Sequence, residues 1–119
     1  MYIIMNKLFY VHLFHILLIG GLFLYVGIMK TKIPSWMFPF LTILGVFLIL
    51  YHGFKAVMLL KSGKIPWVNL FHLIIVAPLL IYIGLNGKNT PYYYFEFLLM
   101  LGFASIGYHG YYLYIDGFN

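Results

Sequence analysis

The sequence lacks cysteine and arginine and has little charge of either sign. Without cysteine, disulfides, thiolate metal sites and iron–sulfur clusters are excluded. Only 8% of the 119 residues are charged, and the acidic ones are Glu96 and Asp116 alone. A soluble domain has about a quarter charged residues, so this chain has too few to cover a surface that faces water. The seven lysines lie mostly near the ends of apolar runs, where cations flank membrane spans, which argues against nucleic acid as a partner.

Apolar residues are abundant, and they form four long runs at about 8–28, 36–60, 67–85 and 92–115. Each run approaches or exceeds the ~20 residues that a helix needs to cross a bilayer. The connections are short and contain proline, glycine or asparagine, so successive helices should be antiparallel neighbours. The sequence therefore predicts an all-α, multi-pass integral membrane protein: one transmembrane domain over 1–119, built as an up-down-up-down four-helix bundle in the lipid bilayer.

The chain aligns with itself without a gap at an offset of 57 residues. The matches include polar, proline and glycine positions, which apolar composition alone would not place in one register. They are Leu13-Phe14-His15 with Leu70-Phe71-His72, Pro34 with Pro91, and Tyr51-His52-Gly53 with Tyr108-His109-Gly110. We predict a tandem repeat of two helical hairpins, repeat 1 at about 8–60 and repeat 2 at about 67–115. Each repeat holds an even number of spans, so the pseudo-twofold axis should run along the membrane normal.

Four of the five histidines follow this repeat: His15 with His72, and His52 with His109. Counting along the alternating helices places all four on one side of the bilayer, roughly 10 Å below the interface. Ionisable groups inside membranes usually face the bundle interior, so we expect the four to converge there. The fifth histidine, His12, has an asparagine as its counterpart and is not a repeated element.

Glycines share the face of two of these histidines. Gly45 lies seven positions before His52, and Gly102 seven before His109, which is two helical turns in each case. A glycine there permits either close helix packing or the approach of a flat ligand. We therefore include both glycines in the candidate cofactor site.

Four histidines suggest either a transition metal ion or a haem, and the charge of each group helps to choose between them. A transition metal ion held by neutral imidazoles would leave two positive charges in low dielectric, and Glu96 lies roughly 20 Å from the histidine layer. Ferrous haem is already neutralised by its porphyrin, and its propionates require only cations on the histidine side. The lysines placed there are Lys7, Lys55, Lys61 and Lys64.

The leading hypothesis is a membrane electron-transfer or redox protein with one b-type haem held by two histidines. His15 with His72, or His52 with His109, would supply the axial ligands. The layout resembles transmembrane b-type cytochromes at the level of architecture. Such a protein would require a redox partner or a quinone, and a homo-oligomer is compatible with it.

Two other interpretations stay open. One is a metal site formed by His15, His52, His72 and His109. The other is a non-enzymatic scaffold or channel-like component, without a cofactor, in which histidines hold helices together by hydrogen bonds. The lysine-only, Ile-, Tyr- and Phe-rich usage is typical of AT-rich genomes, including those of large DNA viruses. The sequence contains no recognisable catalytic set, which leaves enzymatic activity undecided, and the lysine distribution slightly favours cytoplasmic termini.

Overall fold

The structure is a computed structural model that describes residues 7–116, and this part of the chain forms four helices and no strand. Helix α1 covers residues 7–32, α2 covers Met37–Lys61, α3 covers residues 67–89, and α4 covers Tyr92–Asp116. The predicted all-helical class and the number of helices are confirmed over the described residues.

Three of the four helices are long and apolar enough to cross a membrane. These segments are Leu8–Lys32, Met37–Lys61 and Trp67–Asn89. Helix α4 has 25 residues, as many as α2, but its seven tyrosines, with Glu96 and His109, lower its hydropathy. The membrane character predicted from the sequence is supported for α1 to α3, and a membrane position for α4 remains a prediction.

The helices pack in pairs that combine one helix from each sequence repeat. Unit 1 consists of α1 up to Lys30 together with α4 from Phe95, and unit 2 is Thr31–Tyr94, which holds α2 and α3. Within each unit the contacts run in opposite directions along the two helices, so both pairs are antiparallel. The predicted repeats are therefore not the packing units, and their arrangement as one symmetric bundle remains a prediction.

Glycines bring the backbones of each pair close together. A Cβ atom on Gly27 would lie 2.6 Å from the Leu99 Cβ and 2.8 Å from its Cα. Gly84, 57 residues later, has the same role, because a Cβ there would overlap Thr42 Oγ1. Helices in membranes associate largely through such close packing at small residues, and these glycines are the tightest crossing point in each unit.

Both α1 and α3 contain a π-helical stretch that begins at a repeated histidine. The stretches are His15–Gly20 and His72–Val76. In α3 the Ala77 N–H donates to the His72 carbonyl, five residues back. Pro78 follows directly. Proline has no N–H to donate, and its ring clashes with the carbonyl group four residues before it. For both reasons Pro78 favours the wider π-helical turn over a regular α-helical one. In α1 the position of Pro78 is taken by glycine, so no proline accounts for the widening there.

Candidate functional site

In unit 2, α2 and α3 meet at a small polar cluster. The Nδ1 atom of His52 lies 2.7 Å from Oδ1 of Asn69. The rings of His52 and His72 are stacked, with centroids 4.1 Å apart and planes 12° from parallel. His52 and Asn69 are buried, and His72 is half-buried. The cluster thus consists of two face-to-face imidazoles and an interhelical hydrogen bond.

Unit 1 contains a matching cluster between α1 and α4. Nδ1 of His12 lies 2.9 Å from Nδ1 of His109. The rings of His15 and His109 are stacked, with centroids 4.3 Å apart and planes 23° from parallel. His109 is buried, whereas His12 and His15 are half-buried. The interhelical hydrogen bond and the ring stacking of the unit 2 cluster therefore recur in unit 1 at the offset of 57 residues.

His12 belongs to the unit 1 cluster, although sequence reasoning leaves it out of the candidate site. It takes the position that Asn69 has in unit 2, where each is the interhelical hydrogen-bond partner of the buried histidine. The sequence does carry a signal, because the repeat aligns a polar residue with a polar residue inside an otherwise apolar segment. Since the two residues differ in type, an alignment by identity shows a break in the repeat at this position.

The half-buried histidines are oriented by their own helices. Nδ1 of His15 is 2.7 Å from the Val11 carbonyl oxygen, and Nδ1 of His72 is 2.7 Å from the Val68 carbonyl oxygen. A carbonyl oxygen only accepts, so Nδ1 must carry the proton in both rings. In the neutral imidazole Nε2 is then the unprotonated nitrogen, which is the form that binds a metal.

The buried histidines hold the helix pairs together. Since the amide oxygen of Asn69 accepts, His52 also carries its proton on Nδ1. Between His12 and His109 one ring nitrogen donates and the other accepts. Within the described residues no buried side-chain nitrogen or oxygen lacks a hydrogen-bond partner, so the buried polar atoms of both clusters are hydrogen-bonded.

The other predicted site residues have the following surroundings. A Cβ on Gly45 would lie 2.6 Å from Ile81 Cγ1, and one on Gly102 would lie 3.1 Å from Leu24 Cδ2. These are contacts of close helix packing, and a place for either glycine at the edge of a cofactor remains a prediction. Lys55 is exposed on α2, one turn beyond His52.

The structure brings His15 to His109 and His52 to His72, each within one unit. The predicted convergence of all four histidines in one layer remains a prediction. Within the described residues, no group of three or more histidine or acidic side chains is arranged to hold a metal ion. The geometry of the clusters is consistent with this, because the imidazoles of each pair meet through their faces and not through their nitrogen atoms.

Comparison with protein-family models, with curated proteins and with solved structures gave no match to this chain. The described residues themselves define the class: a helical protein with three helices long and apolar enough to cross a membrane.

Proposed function

We propose that this is a multi-pass integral membrane protein that binds one b-type haem through His15 and His72 and serves in electron transfer or redox sensing. The observation that carries the proposal is the hydrogen bond from Nδ1 of each ring to a backbone carbonyl. Metal-binding histidines usually donate their second N–H in this way. The bond fixes the tautomer, orients the ring and raises the basicity of the ligating nitrogen.

Backbone geometry favours His15 and His72 as haem ligands over His52 and His109. His15 and His72 each begin a π-helical stretch, and such stretches are frequent at functional sites. His52 and His109 lie in regular α-helix, are buried, and are engaged in interhelical hydrogen bonds. We therefore assign His15 and His72 as the residues that would hold the haem iron, and His52 and His109 as the residues that would position them through ring stacking.

Haem suits this environment better than a bare metal ion. Unit 2 contains no Asp or Glu, so a divalent ion bound there would have no carboxylate to offset its charge. In haem, the dianionic porphyrin offsets the charge of the ferrous iron. The propionates would be bound by lysines, and Lys55 is the lysine nearest in sequence to a histidine cluster. When bound, the haem supplies one-electron chemistry, and the chain supplies ligands and an apolar surrounding.

An absorption spectrum tests the proposal. The protein would be expressed with added haem precursor, purified in detergent without a histidine tag, and compared with alanine variants of single histidines. We expect a Soret band with the spectrum of six-coordinate low-spin haem. His15→Ala and His72→Ala should lose that coordination, whereas His12→Asn, which copies the unit 2 arrangement, should keep it. A colourless wild-type protein, or a band unchanged in both ligand variants, would refute haem binding by these residues.

A second candidate function is favoured by a separate observation. In both units a buried histidine forms a hydrogen bond to the opposite helix, at 2.7 Å in unit 2 and 2.9 Å in unit 1. A scaffold or channel-like membrane component would use these contacts only for stability. It would be colourless and metal-free, and His52→Ala would lower stability without removing a ligand. A stoichiometric transition metal in elemental analysis would exclude it.

A further inference from the structure

The whole net charge of the protein resides in unit 2. The rest of the chain contains Lys7 and Lys30 against Glu96 and Asp116, which cancel. Unit 2 contains five lysines and no carboxylate, which is the full formal charge of +5. These lysines are Lys32, Lys55, Lys61, Lys64 and Lys88. Since the chain supplies no acidic residue in this unit, an external anion is the natural complement of its charge.

Two of these lysines are held together by the turn between α2 and α3. Helix α2 ends at Lys61, and the Lys64 N–H donates to the Leu59 carbonyl over 2.9 Å. Gly63 provides the left-handed conformation that closes the turn, with φ of 81°. Lys61 and Lys64 are both exposed. Both lysines therefore lie exposed in one closed turn at the end of a helix.

The same turn carries large apolar side chains that are mostly exposed. Ile65 is 62% exposed and Trp67 is 71% exposed. A tryptophan at the end of a membrane helix is typical of the headgroup region, where its apolar ring and its N–H find matching surroundings. Lysines beside exposed apolar groups suit a lipid surface, which offers phosphate and hydrocarbon at adjacent depths.

We infer that residues 61–67 bind the headgroup of an anionic phospholipid, with Lys61 and Lys64 at its phosphate and Ile65 and Trp67 in the adjoining acyl region. The site contains none of the clustered histidines, so lipid binding can be measured on protein without haem. A lysine near an anionic membrane surface changes affinity by about fivefold, so the pair accounts for roughly 25-fold. Binding should accordingly weaken as ionic strength rises.

Native mass spectrometry of the protein released from nanodiscs tests this inference. The discs would contain phosphatidylglycerol and phosphatidylcholine in equal amounts. We expect the wild type to retain one phosphatidylglycerol in preference to phosphatidylcholine. The double variant K61Q/K64Q should lower the preference by roughly 25-fold, and K61R/K64R should keep it.

The double variant K32Q/K88Q provides the matched control. It removes the same charge from the same unit, at the opposite helix ends, and should retain the lipid. Equal loss in K32Q/K88Q and K61Q/K64Q would overturn the proposal in favour of diffuse attraction by net charge. Displacement of the lipid by millimolar inorganic phosphate would overturn it as well, because it would make the site one for a free anion. A wild type without any preference would also overturn it.

Discussion

At each histidine cluster a buried imidazole on one helix is held by a polar side chain from the antiparallel helix. The partner is Asn69 for His52 and His12 for His109. A hydrogen bond between membrane helices contributes about 0.6 kcal/mol on average, whereas a buried donor left without an acceptor costs about 1–3 kcal/mol. Asn69 and His12 differ in chemistry, but each forms the hydrogen bond that the buried histidine of its unit requires.

Exchange of these partners is the first prediction. Asn69→Leu should lower the free energy of unfolding by about 1–2 kcal/mol, because it leaves Nδ1–H of buried His52 without an acceptor. Asn69→His restores the pairing seen in unit 1 and should cost clearly less. Unfolding by denaturing detergent, followed by circular dichroism, compares the two. Equal destabilisation would mean that the hydrogen bond contributes nothing at this position.

A second prediction concerns the end of α3. Gly87 has φ of 55° and ψ of −129°, a conformation that strains residues with a Cβ atom. Gly87→Ala should therefore destabilise the protein by about 1–3 kcal/mol. Gly53 lies inside α2, and a Cβ atom on it would meet nothing within 4 Å, so Gly53→Ala should be neutral or stabilising. A thermal melt of the two variants measures the difference, and identical melting temperatures would contradict the argument.

Single residues differ in how much of their role the sequence reveals. The repeat singles out His15, His72, His52 and His109 alike, because matched histidines inside apolar helices are rare without a function or a structural role. It cannot show which ring nitrogen of His15 and His72 carries the proton, since that depends on a bond to the carbonyl four residues back along the folded helix. For the same reason the pairing of His12 with His109 emerges only from the structure.

At the scale of elements, the helices and the antiparallel pairing of α2 with α3 are predictable, whereas the division into two pairs is not. Long apolar runs predict helices directly, and all four lie where the runs do. Which helices pair depends on surface shape, such as Gly27 facing Leu99, and periodicity carries no information about it. Of the two π-helical stretches only the one before Pro78 has a recognisable cause in the sequence.

Helix pairing gives the third prediction. Gly27→Ala and Gly84→Ala should each lower stability by about 1–3 kcal/mol, because the added methyl group meets the opposite helix at its backbone. Gly107→Ala in α4 is the control, since a Cβ there meets nothing within 4 Å. Reversible unfolding in detergent gives the values. If Gly27→Ala were as stable as Gly107→Ala, the close crossing of α1 and α4 would be wrong.

For the whole molecule, the side of the membrane on which the C-terminus lies depends on whether α4 crosses. Four crossings place both termini on the side of the turn at Ser62, whereas an α4 that stays out of the bilayer places the C-terminus with Lys88. The chain has no cysteine, so Ser62→Cys, Lys88→Cys and a cysteine added after residue 119 can be labelled one at a time without background. We expect the added cysteine to react from the same side as Ser62→Cys. Labelling from the side of Lys88→Cys would show that α4 does not cross.

Electron paramagnetic resonance of the ferric protein tests the central claim most directly. If His15 and His72 are the axial ligands, the haem-loaded wild type gives a low-spin signal of the type produced by two imidazoles. His15→Ala should convert the signal to high spin, and added imidazole should restore low spin by filling the vacated position. His52→Ala should keep two imidazole ligands. A wild type without bound haem, or a low-spin signal that survives loss of His15 and of His72 alike, would contradict the account.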